Sequence, residues 1–284
     1  MRLNTVRIPF KTGDQFTVYP IGDIHFGSAN CDVKLLDEVI AEVRADPNAR
    51  WIGMGDICEF IGPNDKRWDS GDIDKRVVSL DCEGHIGDTY VRKIAAKLKC
   101  IAGKCLAYGD GNHEQAWLKY NTSDMSWRIL ELMGLGGDDP EKRPLIHTQW
   151  DCLTRIVFDH STRDRSLAVR IFHGHGWQAG RQEGGKVNEV RRLMAYIEAD
   201  IYLQGHSHSK WVVPQTRLET NGRFTKLVAH EVYTSHTGSF LRTLQQNHVG
   251  YSERAGYPPT STGVVKFILK PEEDKVRIAA VQGG

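Results

Sequence analysis

Five short motifs along the chain supply the residues that could do metal chemistry. They contribute two aspartates, one asparagine and several histidines, and these oxygen and nitrogen donors suit Mn, Fe or Zn better than Ca or a thiolate-bound metal. The motifs are Gly22-Asp23-Ile24-His25, Gly55-Asp56, Gly111-Asn112-His113-Glu114, His173-Gly174-His175 and Gly205-His206-Ser207-His208. The residue types therefore predict a transition-metal site.

Each motif follows a short apolar stretch that is typical of a buried strand. These stretches end near Ile21, Met54, Tyr108, Phe172 and Leu203. Polar residues that follow several strands meet at the carboxyl edge of an α/β sheet, so we expect the five motifs to converge there. The remaining pattern predicts strands over Phe16–Ile21 and Ile101–Tyr108 and a helix over Val33–Val43 with Asp32 as its N-cap. As a whole it suggests two sheets packed face to face, with helices outside.

The order of the motifs resembles that of the calcineurin-like metallophosphoesterase superfamily. That superfamily includes Ser/Thr phosphatases, purple acid phosphatases, cyclic-nucleotide phosphodiesterases and double-strand-break-repair nucleases. The resemblance reaches from Asp23 to His208 and implies an α/β fold of the four-layer αββα type, with two mixed β-sheets flanked by helices. We expect one catalytic domain over residues 1–284, closest to the nuclease and phosphodiesterase branch, which has phage and bacterial members.

The resemblance also implies two divalent transition-metal ions, with Mn²⁺ preferred and Fe, Zn, Ni or Co as alternatives. Asp56 would bridge the ions, and a hydroxide between them would attack phosphorus in line with the leaving oxygen. The expected ligands are Asp23, His25 and His208 for one ion, Asn112, His173 and His206 for the other, and Asp56 for both.

By the same resemblance, His113 would be the general acid that protonates the leaving oxygen. Glu59 stands where phosphatases of the family have an Asp that orients this histidine. The next residue is Phe60 instead of the phosphate-gripping Arg, which weakens a protein-phosphatase assignment. The role of His175 stays open between a contact to substrate phosphate and a hydrogen-bond donor behind the ligands.

Two long segments are candidate substrate loops. Residues 59–86 contain Arg67 and Trp68, and residues 241–263 contain Tyr251 and Arg254. Positive charge beside aromatic faces suits unstacked nucleotides, so DNA or RNA is a candidate substrate. The alternative is that both loops only brace the fold.

These features predict a metal-dependent hydrolase of phosphate esters, with a phosphodiester as the preferred substrate and a nuclease as one form of that activity. A phosphomonoesterase acting on protein or small molecules is the alternative. A non-catalytic scaffold on the same fold is a weaker one, because the whole expected ligand set and His113 are present.

Composition sets broad limits on this prediction. The 284 residues carry a formal net charge of +1, so no overall positive field marks a nucleic-acid binder. The six cysteines form no Cys-x-x-Cys pair, and we expect free thiols in a reducing cytoplasm. We also expect neither a signal peptide nor a membrane-spanning segment. The oligomeric state is left open.

Overall fold

The computed structural model describes residues 1–63, 65–77, 86–137, 146–177, 182–221, 223–245 and 251–283. Parts of both expected substrate loops, at 64, 78–85 and 246–250, lie outside the described residues. The strands are β1 Arg2–Phe10, β2 Phe16–Ile21, β3 Ala49–Met54, β4 Cys105–Gly109, β5 His147–Gln149, β6 Asp151–His160, β7 Ser166–Gly174, β8 Ile201–Gln204, β9 Lys210–Thr220, β10 Leu227–Ser239, β11 Gly263–Pro271 and β12 Val276–Gln282. The helices are α1 Val33–Ala45, α2 Ile86–Leu98, α3 Asn112–Asn121, α4 Met125–Met133, α5 Glu183–Leu193 and α6 Tyr251–Ala255.

Helix α1 shows how local sequence sets an element. Its buried residues Leu36, Val39, Ile40 and Val43 recur at helical spacing, so one face of the helix is apolar. The carboxylate of Asp32 accepts the backbone N–H of Leu35 at 3.1 Å and caps the first turn. This predicted helix and its predicted N-cap are therefore confirmed.

The strands form one hydrogen-bonded path in the order β1-β6-β7-β8-β10-β11-β2-β3-β4-β5, with β9 paired to β10 and β12 paired to β11. Within this path, β2, β3 and β4 are parallel neighbours, and so are β7 and β8. The two halves of the path meet where Gly238 and Ser239 of β10 pair with Val264 and Gly263 of β11.

The core between the two halves is apolar. It contains Ile171 and Leu203 from one half and Val18, Ile52 and Phe267 from the other, all buried. The helices α1, α2 and α4 contribute buried residues to a second cluster, and α5 contributes Val190 to a third. The predicted mixed α/β class with flanking helices is confirmed. Because the strands are joined in a single path, the four-layer arrangement of two separate sheets stays a prediction.

Some elements differ from the sequence prediction. A strand was expected over Ile101–Tyr108, but Lys99–Lys104 forms a 3₁₀ helix and β4 begins only at Cys105. Helix α3 was not predicted, because its amphipathic pattern is weak and its first turn carries polar site residues. Among the described residues, no helix is both long and apolar enough to cross a membrane.

Candidate metal centre

The loops that follow β2, β3, β4, β7 and β8 bring polar side chains to one edge of the strand path. Several of these residues adopt left-handed backbone conformations, with φ of 46° at Asp23, 50° at His25, 48° at Asp56, 65° at His206 and 54° at His208. Non-glycine residues in this region cost of order 1–3 kcal/mol each, and such residues cluster at functional sites. The fold therefore holds these five side chains in place at an energetic cost.

One group of potential ligands consists of Asp23, His25 and His208, whose ligand atoms lie within 4.8 Å of one another. The Nε2 atoms of His25 and His208 are 3.1 Å apart, and His208 Nε2 lies 3.6 Å from Asp23 Oδ1. His25 Nδ1 donates to Glu59 Oε2 at 2.9 Å, so the lone pair of neutral His25 is on Nε2 and faces His208. Two imidazole nitrogens at this distance need a proton or a metal cation between them.

A second group consists of Asp56, His175 and His206. His175 Nδ1 donates to the carbonyl oxygen of Met54 at 2.8 Å, which leaves Nε2 as its free nitrogen. That Nε2 lies 3.2 Å from Asp56 Oδ2 and 3.0 Å from Asn112 Oδ1. A neutral His175 would thus point a lone pair at two oxygen acceptors, so this group also requires a cation.

Asp56 lies between the two groups. Its Oδ2 is 3.2 Å from His175 Nε2 and 3.9 Å from His25 Nε2, and its side chain is buried. Asn112 Oδ1 completes the second group at 2.8 Å from His206 Nδ1. The two groups therefore adjoin at the Asp56 carboxylate.

Glu114 builds the loop that carries Asp56. Its carboxylate accepts the backbone N–H groups of Asp56 at 2.9 Å, Ile57 at 2.8 Å and Gly111 at 2.8 Å. Gly111 must be glycine, since a Cβ there would lie 2.1 Å from Asp56 Oδ1. Glu114 had no predicted role. A Glu three residues after a helix N-cap is nevertheless a recognisable signal that its carboxylate accepts the backbone N–H of the N-cap residue, here Gly111.

His113 belongs to neither of these two groups, but it forms a third group of potential ligands with His25 and Glu59. Its backbone N–H donates to Asp56 Oδ1 at 2.9 Å, and its Nδ1 donates to the carbonyl oxygen of Glu59. Since a carbonyl can only accept, Nδ1 carries a proton and Nε2 is the nitrogen that can gain or lose one. Nε2 lies 3.4 Å from Arg67 Nη1 and 4.0 Å from Asp56 Oδ2.

Glu59 contacts His113 differently from the expected way. The Glu59 carboxylate was expected to orient His113. In the structure this carboxylate accepts a hydrogen bond from His25, and the backbone carbonyl of Glu59 accepts one from His113. The left-handed Phe60, with φ of 42°, turns the chain directly after Glu59. Glu59 therefore positions two histidines, one with its side chain and one with its main chain.

His173, one of the expected ligands, belongs to none of these groups. Its Nε2 is 2.9 Å from Thr154 Oγ1 in the core, and burial alone lowers its pKa to about 4. His173 is the penultimate residue of β7, whereas His175 follows the strand, so about 7 Å of strand separates the two. The structure thus places His175, and not His173, beside Asp56 and Asn112.

The electrostatics of the centre show a strong demand for positive charge. Burial, with the charge of Asp56 adding to it, raises the pKa of Asp23 to about 7. Burial works against a charged His175, but the carboxylates of Asp56 and Asp23 raise the pKa of that imidazole to about 10. In the same way Glu59 and Asp56 overcome burial and raise the pKa of His25 to about 9. Protons thus satisfy a site whose donor set suits divalent cations.

A cavity of about 160 Å³ opens over the two groups. Arg67 lines it, with its guanidinium held by Asp65 at 2.7 and 3.1 Å. Trp68 is not among the lining residues, and neither is Arg254, which pairs with Asp69 at 2.8 Å and with Asp72. The Tyr251 side chain lies outside the described residues.

Other residues, outside the predicted motifs and substrate loops, also line the cavity. They include Ser28, Asn30 and Lys186. They come from segments far apart in the chain, so no sequence signal marked them. Two further lining residues lie in predicted segments, Ser207 in the Gly205-His206-Ser207-His208 motif and Tyr257 in the predicted loop 241–263.

Comparisons with known proteins give loose likenesses only. No family model and no curated protein matches the chain. Solved structures that resemble it include a conserved uncharacterized protein of Streptococcus pneumoniae TIGR4, described as a predicted phosphoesterase (12% identity, 95% of this chain and 90% of that chain, TM-score 0.33). Another is a double mutant of Vps29 from Entamoeba histolytica (11% identity, 95% of this chain and 100% of that chain, TM-score 0.35). A third is a metallophosphoesterase from Sphaerobacter thermophilus (12% identity, 94% of this chain and 88% of that chain, TM-score 0.37). The case for a function therefore rests on the centre itself.

Proposed function

We propose that the protein is a hydrolase of phosphate esters that works with two divalent transition-metal ions. The observation that carries this proposal is the pair of converging donor sets with Asp56 between them. In each set a histidine has its Nδ1–H fixed by an oxygen acceptor, so its Nε2 is left for a cation. Such a fixed tautomer is typical of metal-binding histidines.

The proposed ligands differ from the sequence expectation at one position. Asp23, His25 and His208 would hold one ion, and Asn112, His175 and His206 the other, with Asp56 shared. His175 takes the place of His173 in this proposal, because His175 Nε2 lies 3.2 Å from Asp56 Oδ2 and His173 is not part of the second group. Ions bound there would polarise the phosphoryl oxygens and lower the pKa of a bound water.

The chain's own residues supply the rest of the chemistry. Asn112 contributes a neutral amide oxygen, so it adds no repulsion toward an anionic ester. His113, held through Nδ1 by the Glu59 carbonyl, presents Nε2 as the atom that donates a proton to the leaving oxygen. Arg67, 3.4 Å from that Nε2, provides positive charge on the same side.

A phosphodiester is the favoured substrate. A monoester dianion needs strong cationic contacts from the protein, but Arg67 is engaged bidentately by Asp65. The position after Glu59 is occupied by Phe60, an uncharged side chain that packs against Tyr90 and Trp117. The position of Arg67 beside His113 favours a monoesterase instead.

The test is a metal titration combined with a substrate panel. Reconstituted protein should approach two Mn²⁺ per chain by elemental analysis, and EDTA should abolish turnover. Bis(p-nitrophenyl) phosphate should be cleaved with a higher kcat/KM than p-nitrophenyl phosphate. Single- and double-stranded oligonucleotides in the same panel test the nuclease form. A folded protein that never binds more than one ion would contradict the two-metal proposal.

A further inference from the structure

A buried lysine that the proposed chemistry does not use lines the cavity. Lys186, on the first turn of α5, is only 4% exposed. Its Nζ donates to Ser209 Oγ at 2.7 Å and to Glu183 Oε1 at 3.1 Å. An ammonium has three N–H donors. Within the described residues, the Lys186 ammonium has two acceptors, the side chains of Ser209 and Glu183. One donor is therefore left over for a ligand in the cavity.

The counter-charge to Lys186 is weak. The side chain of Glu183 is 62% exposed, whereas that of Lys186 is 5% exposed. Water screens an exposed carboxylate, so it compensates poorly for an ammonium that has lost its hydration. Nearby His236 adds no positive charge, because burial and then the charge of Lys186 lower its pKa to about 4. The protein thus keeps a desolvated cation at the cavity wall with spare capacity for an anion.

Lys186 and Arg67 line the cavity from different segments of the chain and have different neighbours. Arg67 contacts His113 Nε2 at 3.4 Å, beside the group that would protonate the leaving oxygen. Lys186 contacts Ser209, in the segment that carries His206 and His208. The Arg67 charge is balanced by Asp65, and Asp72, one of the acids on the cavity wall, is engaged by Arg254. Lys186 is therefore anchored to the segment of the proposed ligands, whereas Arg67 contacts the proposed acid.

We propose that Lys186 forms a subsite for a second anionic group of the substrate. This group is a phosphate carried by the portion that stays bonded to the scissile phosphorus after the leaving group departs. The inference rests on the proposed function and narrows the substrate class to phosphodiesters with a neighbouring phosphate. A purely structural role, in which Lys186 only fixes the turn through Ser209, is the competing explanation.

Two nucleotide substrates separate these roles. Thymidine 5′-(p-nitrophenyl phosphate), with and without a 3′-phosphate, has the same scissile ester and leaving group and differs by one anionic group. The Mn²⁺-loaded protein should favour the 3′-phosphorylated form by about 10- to 100-fold, the range for a hydrogen bond to a charged group. The preference should appear in KM, since the contact is remote from the reacting phosphorus.

Variants locate the source of the preference. Lys186→Met should reduce the ratio of kcat/KM values for the two substrates to near one, and Lys186→Arg should retain part of it. Ser209→Ala is the matched control, because it removes the hydrogen bond to the turn and keeps the ammonium, so it should preserve the ratio. Calorimetric binding of thymidine 3′,5′-bisphosphate and thymidine 5′-phosphate should show the same pattern without turnover.

Three results would overturn the subsite. Cleavage of both substrates by the wild-type protein with equal KM would reject it while leaving the proposed function intact. A parallel loss on both substrates in Lys186→Met, matched by Ser209→Ala, would show that the lysine only holds the turn. Cleavage of neither substrate by protein that binds two ions would reject the phosphodiesterase function and the subsite together.

Discussion

Replacing the two histidines of the His173-Gly174-His175 motif one at a time gives the sharpest test of the centre. His175 Nε2 lies 3.0 Å from Asn112 Oδ1 and 3.2 Å from Asp56 Oδ2, whereas His173 Nε2 bonds Thr154. Both histidines are buried and lie two residues apart, so each variant is a matched control for the other. One variant should lose a metal ion and the other should lose only stability.

His175→Ala should weaken binding of one ion by more than about 100-fold. Loss of a group that merely supports a ligand costs about 10- to 100-fold in metal affinity, and loss of the ligand itself should exceed that range. A 100-fold loss corresponds to about 2.7 kcal/mol. The metal content should therefore fall from near two ions per chain toward one when Mn²⁺ is kept at low micromolar concentration, with activity falling alongside it.

His173→Ala should keep its metal and lose stability. The change opens a cavity in the core and leaves the Thr154 hydroxyl with only the weak contact to the Cys152 thiol, a penalty of up to about 1–3 kcal/mol for the hydroxyl alone. For a chain of this size, each kcal/mol lowers Tm by about 2–4 °C. Elemental analysis and thermal melts of both variants decide the matter. Loss of an ion in His173→Ala with full occupancy in His175→Ala would refute the assignment.

Three further predictions concern neighbouring groups. His113→Ala should lower kcat by about 10²- to 10⁴-fold on alkyl esters, whose leaving oxygen needs a proton, and much less on p-nitrophenyl esters. The metal content should stay near normal. An equal loss on both kinds of ester would remove His113 from the acid role. Glu114→Ala should lower both Tm and metal affinity, because three backbone N–H groups lose a charged acceptor. Glu114→Gln should lower both by less. An unchanged Tm in the Glu114→Ala variant would contradict this prediction. In metal-free protein, the pKa of His25 is raised to about 9 and that of His175 to about 10, so the stabilisation from their charges is complete below the unfolded value near 6.5 and is lost as the pH rises through 9–10. Tm should therefore fall as the pH rises from about 6.5 to about 10, and Mn²⁺ should suppress the fall. A flat profile of Tm against pH in metal-free protein would argue against those charges.

Much of the fold was readable because it follows from local rules. Strand β2 was predicted at its observed bounds, since an alternating apolar stretch is flanked by a turn and a Gly-Asp pair. Helix α1 was readable from its apolar spacing and its Asp32 cap. Strand pairing was not, because β1 pairs in parallel with β6, more than a hundred residues away, and not with neighbouring β2. Such pairing depends on which surfaces the whole chain can bury.

The sequence by itself determined which kinds of residue the centre contains and that they follow strands. Types and order of residues are written in the chain, and the carboxyl edge of parallel strands brings them together. Only the tertiary structure decided which atoms converge at the centre. The exact end of β7 separates His175 from His173, and the turn at Phe60 sends the Glu59 carboxylate to His25 and its carbonyl to His113. Lys186 reaches the cavity from a helix that no motif marks, because packing of α5 against the strands places it there.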